Sequence, residues 1–255
     1  MPELLLYEGK AKRVFATDDE GVLLHRYKDD ATAFNAQKRG SWKDKGKTNA
    51  TMSAAMFAFL EENGVPSHFI EQVDETTIKT KKLTMLPVEV VVRNVAAGSL
   101  SRLLGFEEGR PLKAPIIELC YKNDSLGDPL LNWHHFRELG VGDDDLEFCE
   151  ELGLRVNAIL APFFDERGVT LVDFKIEVGR DAGGRLMLAD EISPDTCRFW
   201  DKETGERLDK DRFRRDLGGM EEAYAEMLRR VVGPSSNEPS ASGGRLPAKR
   251  EEEES

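Results

Sequence analysis

In Leu171-Val-Asp-Phe-Lys-Ile-Glu177, the charged residues Asp173, Lys175 and Glu177 stand at i, i+2 and i+4 and alternate with Val172, Phe174 and Ile176. On a β-strand that spacing puts the apolar side chains on one face and the charged ones on the other. One face belongs to a core; the other presents a row that alternates in sign. Residues 169–178 and 185–192 flank Arg180-Asp-Ala-Gly-Gly184, which predicts a hairpin whose return arm carries Asp190 and Glu191. A carboxylate from each arm, Glu177 and Asp190, suits Mg²⁺, which takes oxygen ligands, keeps waters and binds nucleotide phosphates. A solvated sheet face with an internal ion pair accounts for the same residues, and the hairpin alone does not separate the two readings.

The segments around it narrow the choice. Ser193-Pro-Asp-Thr-Cys-Arg198 follows directly, so Asp195 and Arg198 land near the same place. Upstream, residues 87–93 read as a strand whose continuous run Val90-Val91-Val92 predicts burial in the middle of the molecule. Arg93 at its end offers a planar fork for phosphate or carboxylate. Arg93-Asn-Val-Ala-Ala-Gly98-Ser99 then leads into a short helix over 100–104. Gly98 permits close backbone approach, and Ser99 can cap a helix whose first amides favour an anion. A plain cap beside a surface arginine is the competing reading. Gly9-Lys10-Ala11-Lys12 falls within the predicted first strand, 4–15, so Lys10 and Lys12 point the same way; an exposed strand face or a triphosphate explains them equally.

Further strands are predicted over 22–27, 69–73, 77–83 and 115–121. Met52, Ala55, Met56, Phe59 and Leu60 mark one helical face, and residues 146–164 give a second helix with Leu152, Val156, Ile159 and Phe163 on one side. Phe213, Leu217, Met220, Tyr224, Met227 and Val231 form a last long stripe. Strands first and mixed elements after, without strict alternation, argue for an α+β fold. Gly40-Ser-Trp-Lys-Asp-Lys-Gly46-Lys-Thr48 imitates a phosphate-binding P-loop, but five residues separate its glycines where four are required. The basic cluster Lys38, Arg39, Lys43, Lys45 and Lys47 reads instead as a solvated loop. His134 and His135 are adjacent and cannot easily face one site.

The 255 residues leave room for one large domain or two small ones sharing a cleft. With 48 acidic residues against 36 basic ones and a net charge of -12, a nucleic-acid binder relying on a basic face is not expected. Cations for an anionic ligand must be gathered in one place. Cys120, Cys149 and Cys197 are too scattered for a disulfide framework or a zinc site, which suits a reducing cytoplasm. No apolar run approaches eighteen residues, and the start lacks a basic n-region, so neither a membrane span nor a signal peptide is expected. Residues 234–255 are nearly free of large apolar side chains and predict a disordered tail.

Six stretches carry a family resemblance: Leu6-Tyr-Glu-Gly-Lys-Ala-Lys12, Lys81-Lys-Leu-Thr-Met-Leu-Pro-Val-Glu-Val-Val-Val-Arg-Asn-Val-Ala-Ala-Gly-Ser99, Lys122-Asn-Asp124, Leu171-Val-Asp-Phe-Lys-Ile-Glu-Val-Gly179, Asp190-Glu-Ile-Ser-Pro-Asp195 and Phe199-Trp-Asp-Lys-Glu-Thr204. In order and interval, over residues 4–232, they resemble the phosphoribosylaminoimidazole-succinocarboxamide synthases, or SAICAR synthetases. Val178 stands where that family usually has an aromatic residue or isoleucine, and Ala36 where glycine is common; neither change removes a chemical group. The resemblance implies two lobes around an ATP cleft. Residues 1–84 would form an antiparallel-sheet lobe like the small lobe of a protein kinase, and residues 85–233 a mixed α/β lobe for substrate and metal. It implies a cytoplasmic ligase that converts ATP, carboxyaminoimidazole ribotide and L-aspartate to ADP, phosphate and the succinocarboxamide.

Residue roles follow from the same resemblance. Lys10 and Lys12 would hold the ATP phosphates, and the backbone around Lys82, Met85 and Leu86 would act as the adenine hinge, with Glu89 near the ribose. Glu177 and Asp190 would bind Mg²⁺. Arg93, Ser99 and Arg198 would grip the 5′-phosphate of the ribotide. Asp173 would orient the imidazole amine and Lys175 stabilise the transferring phosphoryl group, with Arg93 beside them at the reacting centre. Lys122, Asp128 and Asp195 would border L-aspartate. A homodimer is the default assembly. A kinase-like phosphotransferase acting on a small alcohol would share the Mg²⁺-ATP half but leave the phosphate grip idle. A catalytically dead scaffold would be expected to have lost Lys10, Lys175, Glu177 or Asp190.

Overall fold

Stretches of period two become strands and stretches of period 3.6 become helices in the computed structural model, which describes residues 4–33 and 37–233. In chain order the strands are β1 (Leu5–Glu8), β2 (Lys12–Ala16), β3 (Val22–Tyr27), β4 (Asp30–Ala33), β5 (Lys38–Ser41), β6 (Phe69–Gln72), β7 (Thr77–Lys81), β8 (Thr84–Val95), β9 (Pro111–Tyr121), β10 (Leu130–Leu131), β11 (Val169–Arg180), β12 (Leu186–Ala189) and β13 (Cys197–Asp201). The helices are α1 (Lys45–Glu62), α2 (Gly98–Leu104), α3 (Trp133–Glu138), α4 (Asp143–Asp165), α5 (Asp211–Arg214) and α6 (Met220–Val232). The α+β class holds. One sheet runs β1-β2-β3-β7-β6, a second runs β10-β9-β8-β11-β12 with β13 also on β11, and β4 and β5 form a separate hairpin. All of these pairings are antiparallel. A short bridge between Ser67 and Leu188 ties the approach to β6 onto β12. No described helix is long and apolar enough to cross a membrane.

Strand β11 organises the second sheet. Along one side it pairs with β8, Asp173 opposite Arg93 and Glu177 opposite Glu89. Its other side is divided: β13 pairs with residues 169–174 and β12 with residues 177–180. Between them the Lys175 amide donates to Thr196 O at 2.8 Å, so the loop over 190–196 enters the gap. Beneath β8 and β11 lies α4, whose Leu146, Leu152, Val156, Leu160 and Phe164 are buried against Val90, Val92, Phe174 and Ile176. Gly153 lets the helix approach: a Cβ there would sit 3.0 Å from both Val90 and Val92. Burying each such side chain contributes about 1.5–3 kcal/mol, which fixes the sheet and leaves its opposite face available.

Several sequence expectations are corrected. The predicted strand over 4–15 is a hairpin: Gly9 N donates to Lys12 O at 2.9 Å, and Lys10 lies in the turn while Lys12 begins β2. Val91 is not in the core with Val90 and Val92; it lines a cleft with Glu89 and Arg93 on the other face of β8. The last apolar stripe is not one helix, because Gly218 and Gly219 adopt φ of 67° and 61°, which a helix does not allow. The expected disorder of residues 234–255 and the departure at Ala36 lie outside the described residues.

Candidate active site

A cleft of about 500 Å³ opens over the charged face of β11. Asp173, Lys175 and Glu177 line it together, as do Glu89 and Arg93 from β8, Lys10 and Lys12 from the first hairpin, and Asp190, Asp195 and Arg198 from the return arm and the segment after it. The row is not a solvated face, since Asp173 is 4% and Glu177 5% exposed. Buried charges persist only when paired, and the pairing sorts the cleft into two ends.

At one end the Lys175 ammonium lies 3.0 Å from Glu89, 3.0 Å from Glu177 and 2.9 Å from Asp190. Lys12 joins Asp190 at 2.6 Å and Glu191 at 3.4 Å, and Lys122 pairs with Glu177. Asp190 reaches both lysines from a left-handed backbone, φ 73°; a non-glycine residue there costs about 1–3 kcal/mol and marks a functional position. Burial opposes charge at Lys12, Lys175 and Asp190, yet there the partners win, whereas at Glu89 burial outweighs Lys175 and pushes the carboxyl above its usual range. Lys12 is held well above the usual lysine range by Asp190 and Glu191, and Lys175 by Asp190, Glu177 and Glu89. Asp190 is held well below the carboxylate range by the two lysines. With the exposed pair Lys10–Asp124 at 2.5 Å and with Asp128, this end brings six carboxylates against four ammonium groups. Its donors fit a hard divalent cation. No three described His, Cys, Asp or Glu side chains are arranged to hold a metal by themselves, whereas Mg²⁺ needs one or two carboxylates and completes its shell with water and phosphate.

The other end inverts the arrangement. Asp173 Oδ2 accepts from Arg93 at 3.0 Å and from Arg198 at 2.7 Å. Arg93 also donates to Glu118 at 2.8 Å and to Ser99 Oγ at 2.8 Å. Ser99 therefore receives a guanidinium bond instead of capping α2, whose cap is Ala97, and Gly98, at φ 56°, sits where a Cβ would strike the Arg198 guanidinium at 2.6 Å. Asp211 holds Arg198 at 2.9 Å and Arg214 at 2.7 Å. Behind it, Asp209 accepts from the amides of Phe199 and Asp211, and burial, with the nearby charge of Asp211, pushes its carboxyl up to about 7. Asp195 is enclosed: Oδ2 lies 2.7 Å from Lys45 and 3.4 Å from Lys210, and Tyr224 donates to Oδ1 at 2.6 Å. Five cations meet four carboxylates at this end if Asp209 is left aside.

The sequence-derived set is thus largely gathered, with exceptions. Lys82, Met85 and Leu86 do not line the cleft; they lie where the chain crosses from β7 to β8, with Met85 packed on Gly179. Asp128 borders the cleft beside Lys122, but its Oδ1 accepts from the Asn123 amide. The basic stretch over 38–47 is not simply solvated, because Lys45 is fully buried and Lys38 donates to Phe213 O. Gly46 serves close packing, since its Cβ would meet Tyr27 O at 2.9 Å. His135 accepts from Asn132 N within a capping box, and no histidine is among the described residues lining the cleft. Lys45, Glu118, Lys210, Asp211 and Arg214 were missed. Lys45 was legible, being seven residues before Met52 on the same helical face.

Clustered carboxylates beside lysines at one end and a guanidinium pair at the other define an enzyme that handles phosphate groups. The family model for SAICAR synthetase matches residues 5–231. The phosphoribosylaminoimidazole-succinocarboxamide synthase of Deinococcus radiodurans is 57% identical over 227 residues, covering 89% of this chain and 96% of that one; the enzyme of the same name from Desulfitobacterium hafniense is 56% identical over 228 residues, covering 89% and 95%. Among solved structures, a SAICAR synthetase in complex with ADP superposes with a TM-score of 0.87 at 49% identity, covering 89% of this chain and 97% of that one. The phosphoribosylaminoimidazole-succinocarboxamide synthase of Ehrlichia chaffeensis gives 0.88 at 41% identity, covering 91% and 100%. The chain belongs to the SAICAR synthetase family. Its activity is an ATP-dependent ligation in purine biosynthesis.

Proposed function

We propose that the enzyme joins L-aspartate to the carboxylate of carboxyaminoimidazole ribotide, with Mg²⁺-ATP bound at the carboxylate-rich end of the cleft and the ribotide at the guanidinium end. The observation that carries this reading is the change of sign along β11, from Asp173 between two arginines to Lys175 among three carboxylates. Residues 1–84 would serve as a nucleotide lobe of the protein-kinase small-lobe kind and residues 85–233 as the substrate lobe, with Lys82, Met85 and Leu86 as the hinge against adenine and Glu89 toward the ribose. Lys10 and Lys12 would hold the phosphates. Glu177 and Asp190 would hold Mg²⁺, which when bound neutralises charge on the phosphates.

An amide does not form from a free carboxylate at neutral pH, because the leaving oxygen is poor. Transfer of the γ-phosphoryl group to the ribotide carboxylate gives an acyl phosphate with a good leaving group, and the amine of L-aspartate then displaces it. Arg93, Ser99 and Arg198 would grip the 5′-phosphate, with bidentate geometry available from the two guanidinium groups. Asp173, between the two arginines, would orient the imidazole amine. Lys175 would release its carboxylates to the metal and stabilise the phosphoryl group in transit. L-Aspartate would enter past Lys122 and Asp128 and lie against the wall that Asp195 and Lys210 share, its α-amine toward the ribotide carboxylate. A phosphotransferase for small alcohols would have no use for the Arg93–Ser99–Arg198 set.

Three free cysteines suit a reducing cytoplasm. The exposed apolar row Leu4, Leu5, Leu6 and Tyr7 at edge strand β1 is a surface that a second copy would cover in a homodimer. The decisive assay is ADP release from Mg²⁺-ATP and carboxyaminoimidazole ribotide, with and without L-aspartate. Release that requires both substrates, with equimolar succinocarboxamide, is the expected result; release indifferent to aspartate would replace the ligase reading with a phosphotransferase.

A further inference from the structure

Displacement of phosphate by an amine requires a proton acceptor. The α-ammonium of L-aspartate must first lose one proton to expose its lone pair. The C–N bond then forms, the C–O bond to phosphate breaks, and a second N–H proton leaves with the phosphate as HPO₄²⁻. At neutral pH the first proton needs a base inside the cleft.

Several groups on the described lining are unsuited. No histidine is present. Lys12 and Lys175 are each locked among carboxylates, Asp190 is held between two lysines, and Asp173 Oδ2 is held between two guanidinium groups. Glu89 is engaged by Lys175 at the nucleotide end. Lys210 differs. Its backbone is anchored to Pro194 O at 3.0 Å, and its ammonium reaches Asp195 Oδ2 only at 3.4 Å. That oxygen already has a fully buried partner, Lys45 at 2.7 Å, and Tyr224 occupies Oδ1. One carboxylate thus faces two ammonium groups, one sealed in the interior and the other turned to the cleft with Arg198 and Arg214.

We propose that Lys210 is a catalytic residue of the ligation, its uncharged amine taking the proton from the α-ammonium of L-aspartate; this rests on the ligase reading above. Lys45, 2.7 Å from the same oxygen, then leaves Asp195 with a partner when Lys210 is uncharged. Burial lowers the proton affinity of Lys210; Asp195 and Glu191 pull the other way, and Lys45 and Arg214 lower it further, so the net shift is downward. The product ammonium returns its proton to solvent through the open cleft.

Lys210→Arg tests this, because a guanidinium keeps the charge but does not act as a base. The succinocarboxamide rate with L-aspartate at neutral pH is expected to fall by about 100-fold or more. It should recover as pH rises and the free amine becomes abundant. With hydroxylamine, which is uncharged at neutral pH and needs no base, hydroxamate formation from the same acyl phosphate should stay within about threefold of wild type. An aspartate rate within about threefold of wild type would overturn the proposal, and so would equal loss with both nucleophiles. If thermal melting shows that arginine does not fit, Lys210→Ala with added methylamine decides: regained aspartate turnover supports proton transfer, and none overturns it. Failure of the wild type to make either product would remove the ligase reading first, and this proposal with it.

Discussion

The two ends of the cleft are built as inverses. At one, a single ammonium, Lys175, is shared by three carboxylates; at the other, a single carboxylate, Asp173, is shared by two guanidinium groups. Residues i and i+2 of a strand are only about 7 Å apart, so the local sign reverses within one pleat repeat of β11. Neither end is left with bare charge. Each holds internal partners that a ligand of the right sign can replace, a cation among the carboxylates or an anion among the arginines. An acidic chain can therefore bind anionic substrates without a basic surface.

The comparison is broken most severely by neutralising the carboxylates. Glu177→Gln or Asp190→Asn is expected to reduce turnover by about 1,000-fold or more, as for loss of a metal-holding group in phosphoryl transfer; steady-state ADP release checks it, and wild-type rates would remove the metal assignment. At the opposite end, Arg198→Ala removes a charged partner of Asp173 and should raise the KM for ribotide by about 10- to 100-fold, the equivalent of about 1.5–3 kcal/mol, while leaving ADP affinity unchanged.

The smallest effect sharpens the contrast through pH. Asp209 titrates near 7 when folded and in the ordinary carboxylate range when unfolded. Between those values the folded state retains a proton that the unfolded state has lost, so this group's contribution to stability declines as pH rises through that window. Asp209→Asn should flatten that decline in thermal melts across the window, relative to wild type; an unchanged slope would place the ionisation elsewhere.

The sequence made one end more legible than the other. The charged row of β11 obeys a strict period of two, and the turn over 180–184 announces the strand that returns Asp190, so the carboxylate end could be assembled from local pattern. The guanidinium end depends on contacts distant in sequence. Asp211 reaches Arg198, and Arg214 in turn pairs with Asp211, only because a short helix, α5, sits apart from α6, and the apolar stripe from Phe213 to Val231 concealed the break that Gly218 and Gly219 impose. Lys45 was hidden for a different reason: a glycine-rich basic stretch reads as loop, although its spacing to Met52 and Met56 already placed it on the buried face of α1. Lys10 was misplaced because the Gly9 turn lies inside an otherwise strand-like run.

Calorimetric titration of two variants with two ligands tests the central claim most directly. Glu177→Gln and Arg198→Ala would each be titrated with Mg²⁺-ADP and, separately, with carboxyaminoimidazole ribotide. The expected outcome is a double dissociation: Glu177→Gln loses affinity for Mg²⁺-ADP and keeps it for the ribotide, whereas Arg198→Ala does the reverse. Parallel loss of both ligands in either variant would contradict a cleft divided by charge along β11.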